Sequence, residues 1–252
     1  MVEFFRATLI EPIFNLLIFF YGVIPGADIG FAIIALTILI KVALWPLMSK
    51  SLRSQKALQT LQPKIEELKK SHGDDREGLA KAMMELYSEE KVNPLSSCLP
   101  VLIQLPILIA LYRVLLVGFD PGTLDMLYSF VPNPGSINHI FLGAIDLSQV
   151  SIYLAVLAGY FQFMQTRMMI SKRPPKEVAG KGGAKDETMM ASMNKSMLMF
   201  MPVITVVIGA SLPAGLTLYW VTVNIVSILQ QQFVFSKMDT DKKKVLEAEV
   251  VS

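Results

Sequence analysis

Lys41 is the side chain in this sequence that most needs a chemical explanation. It lies within FAIIALTILIKVALWPL, and a lysine deep in a membrane helix costs about 2.5–3.5 kcal/mol on insertion scales, so such residues usually face a bundle interior or a watery cavity. Thr37 is one turn away on the same helical face. Gln104, Gln162, Gln165, Thr217, Thr222 and Asn224 are scattered through three further apolar stretches, none of which contains Asp or Glu. Lys41 therefore has no carboxylate within the apolar stretches, and water, amides, hydroxyls and carbonyls are left as its partners. Two readings stay open for each group. Lys41 either snorkels along its own helix or lines a wet chamber, and the amides and hydroxyls are either glue between helices or contacts for a ligand.

The same inventory excludes several kinds of chemistry. Proton-coupled transport ordinarily uses an intramembrane Asp, Glu or His, and an intramembrane protease needs a nucleophile with a base or a pair of aspartates. The two histidines, His72 and His139, lie in separate polar segments, and nothing in the sequence sets a base beside Ser96 or Ser97. With Cys98 as the single cysteine, no internal disulfide and no multi-cysteine zinc site is expected. No metal, cofactor or enzymatic activity is expected.

The elements that must position these residues follow from hydropathy. The chain is 53% hydrophobic and 17% charged over 252 residues, with a mean hydropathy of +0.50, outside the range of ordinary soluble domains. A bilayer core needs about 20 mostly apolar helical residues. Five stretches qualify, at about Ile29 to Met48, Leu95 to Val117, Val150 to Ile170, Met193 to Ala210 and Leu216 to Phe235, the last two joined by a tight turn. All of the 23 basic residues except Arg6, Lys41 and Arg113 fall on one side of this arrangement, whereas Gly118 to Gln149 has no Lys or Arg. By the positive-inside tendency that side is cytoplasmic, with the N-terminus outside and the C-terminus inside. Lys41 then sits towards the inner end of its span, and the physical expectation is a hydrated, positively charged groove in the inner half of the bilayer.

Outside the spans, Pro12 to Ile24 is apolar but only 13 residues long, a length that favours a helix lying on the outer surface. Adding Phe4 to Leu9 would instead make a sixth span. After the first span, Leu58, Leu61, Ile65 and Leu68, then Leu79, Met83 and Leu86, recur at helical spacing among Lys and Glu. They predict an antiparallel cytoplasmic hairpin turning near Gly73, with Asp74 and Glu77 spaced as a capping box and Pro63 marking a kink or a fresh start. The hairpin is either a solvated spacer or a mobile docking element. The organisation is thus an all-α membrane protein: an outer amphipathic helix (1–26), a first transmembrane helix (27–48), a cytoplasmic hairpin (49–94), and four further transmembrane helices (95–236). An outer loop (118–149), a cytoplasmic loop of linker composition (171–192) and a tail (237–252) complete it.

Three strings carry a family likeness: FAIIALTILIKVALWPL at the first span, NPLSSCLP running into VLIQLPILIALYRVL at the second, and LPAGLTLYWVTVNIVSILQQQ at the last. Together they resemble the YidC/Oxa/Alb insertases, in the minimal form without the large outer domain. The resemblance implies a bacterial inner-membrane, multi-pass protein that receives the polar part of nascent membrane proteins in a groove open to cytoplasm and lipid. It places Thr37, Gln104, Tyr219, Trp220 and Asn224 at motif positions, and Lys41 where the family usually carries arginine. Lysine keeps the positive charge but loses the planar fork that grips a carboxylate at two points. Tyr219 and Trp220 equally suit interface or packing aromatics. Client proteins and lipid are the implied partners, the ribosome and Sec translocon follow from the resemblance only, and DNA is not expected. The rival reading is a small anion transporter or channel using Lys41; a purely structural assembly factor is the second.

Overall fold

The computed structural model describes residues 2–73, 75–93, 99–117, 124, 126–169 and 200–251. Outside the described residues fall Asp74, residues 94–98 with Ser96, Ser97 and Cys98, the loop 171–192, and the first residues of the fourth expected span. The described chain is mostly helical. Helix α1 (Val2–Phe5) passes through a π-helical turn (Arg6–Ile10) into α2 (Glu11–Val23), followed by α3 (Ile29–Ala43), α4 (Trp45–His72), α5 (Arg76–Glu89) and α6 (Leu99–Val117). A short antiparallel hairpin, β1 (Ile140–Phe141) and β2 (Ile145–Asp146), precedes α7 (Ile152–Met169), α8 (Phe200–Gly209) and α9 (Ala214–Val251). Two units are formed: Met1–Trp45, Val101–Met164 and Met201–Ser227 make the first, and Pro46–Pro100, Gln165–Phe200 and Ile228–Ser252 the second.

In the first unit the N-terminal helical run is longer than its apolar core suggests. Thr8 Oγ1 donates back to the Phe4 carbonyl at 2.6 Å, and Arg6 pairs with Glu11 at 3.2 Å, which carries the helix past the polar residues. The run Glu3–Val23 is 21 residues, long and apolar enough by itself to cross a bilayer, which is the length that the sixth-span alternative requires. The contacts of α2 are informative as well. Buried Asn15 donates to the Met126 carbonyl at 3.1 Å and accepts from the Tyr128 amide at 2.6 Å, and the Tyr21 hydroxyl accepts from the Asn138 amide at 2.9 Å. Two turns of α2 are thus laid along the lysine- and arginine-free loop, with Phe14, Leu17 and Ile18 turned into the core.

The expected first span from Ile29 to Met48 is divided. Pro46 lacks an amide hydrogen, and in a continuous helix its ring would strike the Val42 carbonyl. Helix α3 therefore stops at Ala43, with the Leu44 amide closing onto the Ile40 and Val42 carbonyls, and Pro46 falls in the first turn of α4, where a proline is tolerated. At the other end of α3 one carboxylate does two jobs: Asp28 Oδ1 caps the helix through the Gly30 amide, and Oδ2 accepts from the Leu142 amide, each at 2.8 Å. Leu142 and Gly143 have φ of +52° and +69°, the left-handed pair at the centre of a tight turn that the Ala144 amide closes onto the Phe141 carbonyl at 3.1 Å. The Phe141 ring then lies over Gly30, where a Cβ would come within 2.1 Å of it. The loop also reaches the α8–α9 turn, where the Ala214 amide donates to the Gln149 carbonyl at 2.7 Å and the Gly215 amide to that of Leu147 at 3.0 Å.

Around this core the unit turns apolar side chains outward: Phe31, Ile38 and Val42 on α3, Leu102, Leu105 and Ile109 on α6, and Val203 and Val207 on α8. Contiguous exposed apolar surface of this extent marks a membrane-facing protein. Helices α7 and α8 meet through small residues. A Cβ on Gly159 would stand 2.4 Å from a Val206 methyl, and one on Gly209 would stand 3.2 Å from the Ala155 Cβ, the close approach that membrane helices use when apolar burial cannot drive them together.

The second unit contains the hairpin. Helix α4 is continuous through Pro63, where the sequence predicts a kink or a fresh start; Leu61 and Ile65, buried on either side, hold the turn that lacks a backbone bond. The helix N-cap of α5 is Asp75, whose side chain accepts from the Gly78 amide at 3.0 Å, one residue later than the capping box expected at Asp74. Lys64 pairs with Glu90, which sets α4 and α5 antiparallel. No described side chain of α5 is buried, so little apolar area secures it. Amide exchange in α5 is therefore expected to be faster than in α2 and α3; equal protection measured by exchange mass spectrometry would contradict that packing argument. Helix α9 runs to Val251, well beyond the expected end of the last span, because no Gly or Pro follows Gly215. Lys56 binds Asp239 at 2.6 Å and lies 4.9 Å above the Phe235 ring.

Candidate functional site

Helix α9 collects the polar groups of the first unit, one neighbouring helix at a time. Thr217 Oγ1 donates to the Gly209 carbonyl at the end of α8, at 3.2 Å. Tyr219 is buried and its hydroxyl accepts from Gln104 Nε2 of α6. Asn224 Nδ2, also buried, donates to the Ala158 carbonyl of α7 at 3.2 Å. One turn further on, Ser227 Oγ accepts from Lys41 Nζ of α3 at 2.8 Å. In an apolar surround each of these groups needs such a partner, so four helices are registered on the fifth by single hydrogen bonds.

Lys41 is 8% exposed. Its ammonium is directed to the Ser227 hydroxyl of α9. Among the described residues the ion pairs are Arg6 with Glu11, Lys56 with Asp239 and Lys64 with Glu90, and Lys41 takes part in none of them. Two features let an uncompensated ammonium stand here. It lies in the last turn of α3, where the unsatisfied carbonyls carry partial negative charge, and it has the Ser227 hydroxyl. An ammonium has three donors, and the described side chains take up one of them.

The remaining expected residues divide. Thr37 is buried, but its hydroxyl donates to the Ile33 carbonyl of its own helix at 2.6 Å. Thr222 does the same to Leu218 at 2.8 Å. Trp220 and Gln162 are half-buried in the first unit, whereas Gln165 belongs to the second. Ser227 is the partner that reading the sequence missed. It follows Asn224 by three residues and Trp220 by seven on one helical face, and that periodicity was the available signal.

The strings that carry these residues have a wider match. Residues 19–243 fit the family model described as 60Kd inner membrane protein. The chain belongs to this family. Among curated relatives of the 60Kd inner membrane protein family, the membrane protein insertase YidC of Magnetococcus marinus is 38% identical over 231 residues, covering 92% of this chain and 36% of that one. The membrane protein insertase YidC of Francisella tularensis subsp. novicida is 37% identical over 215 residues, 85% of this chain and 34% of its own length. The chain thus spans about a third of the length of the curated relatives it matches. The fold is similar to that in a crystal structure of an active YidC insertase with the first transmembrane domain resolved. The TM-score is 0.57 and the identity 24%, with 87% of this chain and 45% of that one covered. The family likeness read from the three strings is confirmed, and with it an inner-membrane location.

Proposed function

We propose that this chain is a membrane protein insertase and chaperone that works without catalysis or a cofactor. It has five transmembrane helices, the N-terminus outside and α2 on the outer surface, where the bonds from Asn15 and Tyr21 to the outer loop support that position. The observation that carries the reading is Lys41. A buried ammonium whose described partner is a hydroxyl, in a family of inner-membrane proteins, keeps donors for a polar guest. A site that supplies charge and water within the inner half of the bilayer lowers the desolvation cost of a client's polar tail or loop. The client's apolar helix leaves sideways into lipid, and its burial offsets the transfer, so no nucleotide is required. The substrate groove is formed by Lys41, Thr37, Gln104, Gln162, Tyr219, Trp220 and Asn224 of the first unit, to which Ser227 is added. Nascent membrane proteins are its clients, with the ribosome and the Sec translocon as partners by family likeness.

The outer end has the opposite character. Hydrogen bonds from Asp28, Asn15 and Tyr21 tie the loop over α2 and α3, which supports a groove sealed from the outside. The likeness to insertases favours this reading over an anion transporter, which needs a route open at both ends. Liposomes containing the protein are expected to integrate a short single-span client, as read by protease protection. Equal integration into empty liposomes would remove the proposal.

A further inference from the structure

The proposed function leaves one feature of the second unit unused. Between α4 and α5 lies a cleft of about 510 Å³, within the roughly 300–1,000 Å³ of ligand-sized clefts. Its floor is apolar, formed by Leu68 of α4 with Ala82 and Leu86 of α5. Its rim is acidic, with Glu67 on one helix and Glu85 and Glu89 on the other. The one cation in the lining, Lys64, is already held: its hydrogen bond to Glu90, and secondarily the charges of Glu90, Glu89 and Glu67, raise its pKa above the usual lysine value. Glu67, Glu85 and Glu89 form no ion pair among the described residues. The cleft is thus apolar at the bottom and negatively charged at the lip.

The charge pattern selects the occupant. Glu85 and Glu89 are one turn apart on the same face of α5, a separation of about 5–6 Å between Cβ atoms, which suits two cations one turn apart on a facing helix. Segments of that kind are common where this hairpin is expected to stand, because the cytoplasmic flanks of membrane helices carry an excess of Lys and Arg. We propose that the α4/α5 cleft docks the basic, amphipathic cytoplasmic flank of a client membrane protein, its apolar side chains on Leu68, Ala82 and Leu86 and its cations on Glu67, Glu85 and Glu89. This deepens the insertase reading and rests on it: the cleft holds the flank that must stay inside while the polar segment engages Lys41.

The test has two arms. In the first, a labelled amphipathic peptide with three lysines is titrated onto the full chain in lipid nanodiscs, beside versions with glutamate or glutamine in place of lysine. The lysine peptide is expected to bind about tenfold or more tightly than the glutamate one, to weaken as ionic strength rises, and to lose about tenfold on the triple variant E67Q/E85Q/E89Q. Ala82→Trp, which fills the floor and leaves the charges, should also abolish binding. Equal binding of the lysine and glutamate peptides, or binding unchanged by both variants, overturns the proposal. In the second arm, liposomes with wild type or the triple variant receive clients with lysine-rich or uncharged flanks. The triple variant should lower integration of the lysine-flanked client about threefold or more relative to the uncharged one. If wild type integrates neither client, the insertase reading fails, and the peptide arm still decides the cleft. If wild type integrates both and the triple variant leaves their ratio unchanged, the cleft fails and the insertase reading stands.

Discussion

Replacing Lys41 with leucine is expected to lower client integration about tenfold or more and, in the same preparation, to raise the midpoint of thermal unfolding. The two effects share one cause. A buried ammonium with a hydroxyl partner and no carboxylate among the described residues is costly, on the order of 2.5–3.5 kcal/mol on insertion scales. An apolar group of similar volume recovers part of that cost. Ser227 loses a donor in the exchange, but its hydroxyl can turn back to the carbonyl of Val223, as serines in membrane helices do. The same ammonium is what the proposal offers a polar client, and about 1.4 kcal/mol of lost stabilisation is a factor of ten in rate. Lys41→Arg should keep most of the integration, because the charge is retained. Ser227→Ala should instead destabilise the protein by about 1–3 kcal/mol, since it strands the ammonium. Protease-protected client counts the first effect, and unfolding in detergent followed by tryptophan fluorescence counts the second. Wild-type integration by Lys41→Leu would remove Lys41 from the mechanism, and a lowered midpoint would contradict the burial argument.

Gly30→Ala is expected to lower stability by about 1–3 kcal/mol, the usual cost of forcing extra volume into a packed site, even though alanine is the better helix former. The added methyl would come within 2.1 Å of Cδ2 of Phe141 and within 2.7 Å of Cε2, so the ring has to leave. Phe141 belongs to the turn that Asp28 holds through the Leu142 amide, and its displacement pulls on the contact at the N-terminal end of α3. Phe141→Ala should also destabilise by itself, through the lost burial of a side chain that is 7% exposed. The double variant Gly30→Ala/Phe141→Ala should be more stable than the two single losses would sum to, because the clash exists only when both groups are present. Additive losses in unfolding midpoint would show that the ring and the methyl do not meet. A second readout follows from the proposed topology: the loop around Leu142 should become more sensitive to protease added from outside in Gly30→Ala than in wild type.

Much of the helical plan was legible along the chain. Lys41 stood out because one charge interrupts a run of apolar residues, and hydropathy is a sum over neighbours that needs no fold to evaluate. The division of the first span at Leu44 was also written locally, in Pro46, although the apolar run extends to Met48 and the length criterion passed over it. A hydropathy window stops at Glu11, whereas the pair between Arg6 and Glu11 and the back-bond from Thr8 carry the helix on. Pro63 misled in the opposite direction: a proline weakens one turn, and the burial of Leu61 and Ile65 on either side of it outweighs that loss.

The sequence alone determined that this is a helical membrane protein, which of its segments are apolar, and that one ammonium among them has no nearby carboxylate in the chain. Each of those follows from composition, period and spacing, quantities that act over a few turns. The fold decided where the ammonium goes. Ser227 is 186 positions from Lys41, and no local rule distinguishes that hydroxyl from those of Thr217 or Thr222, which end on carbonyls of the last two apolar helices. Only the packing of α3 against α9 makes the choice, because a buried donor is satisfied by whichever acceptor the neighbouring helix brings within about 3 Å.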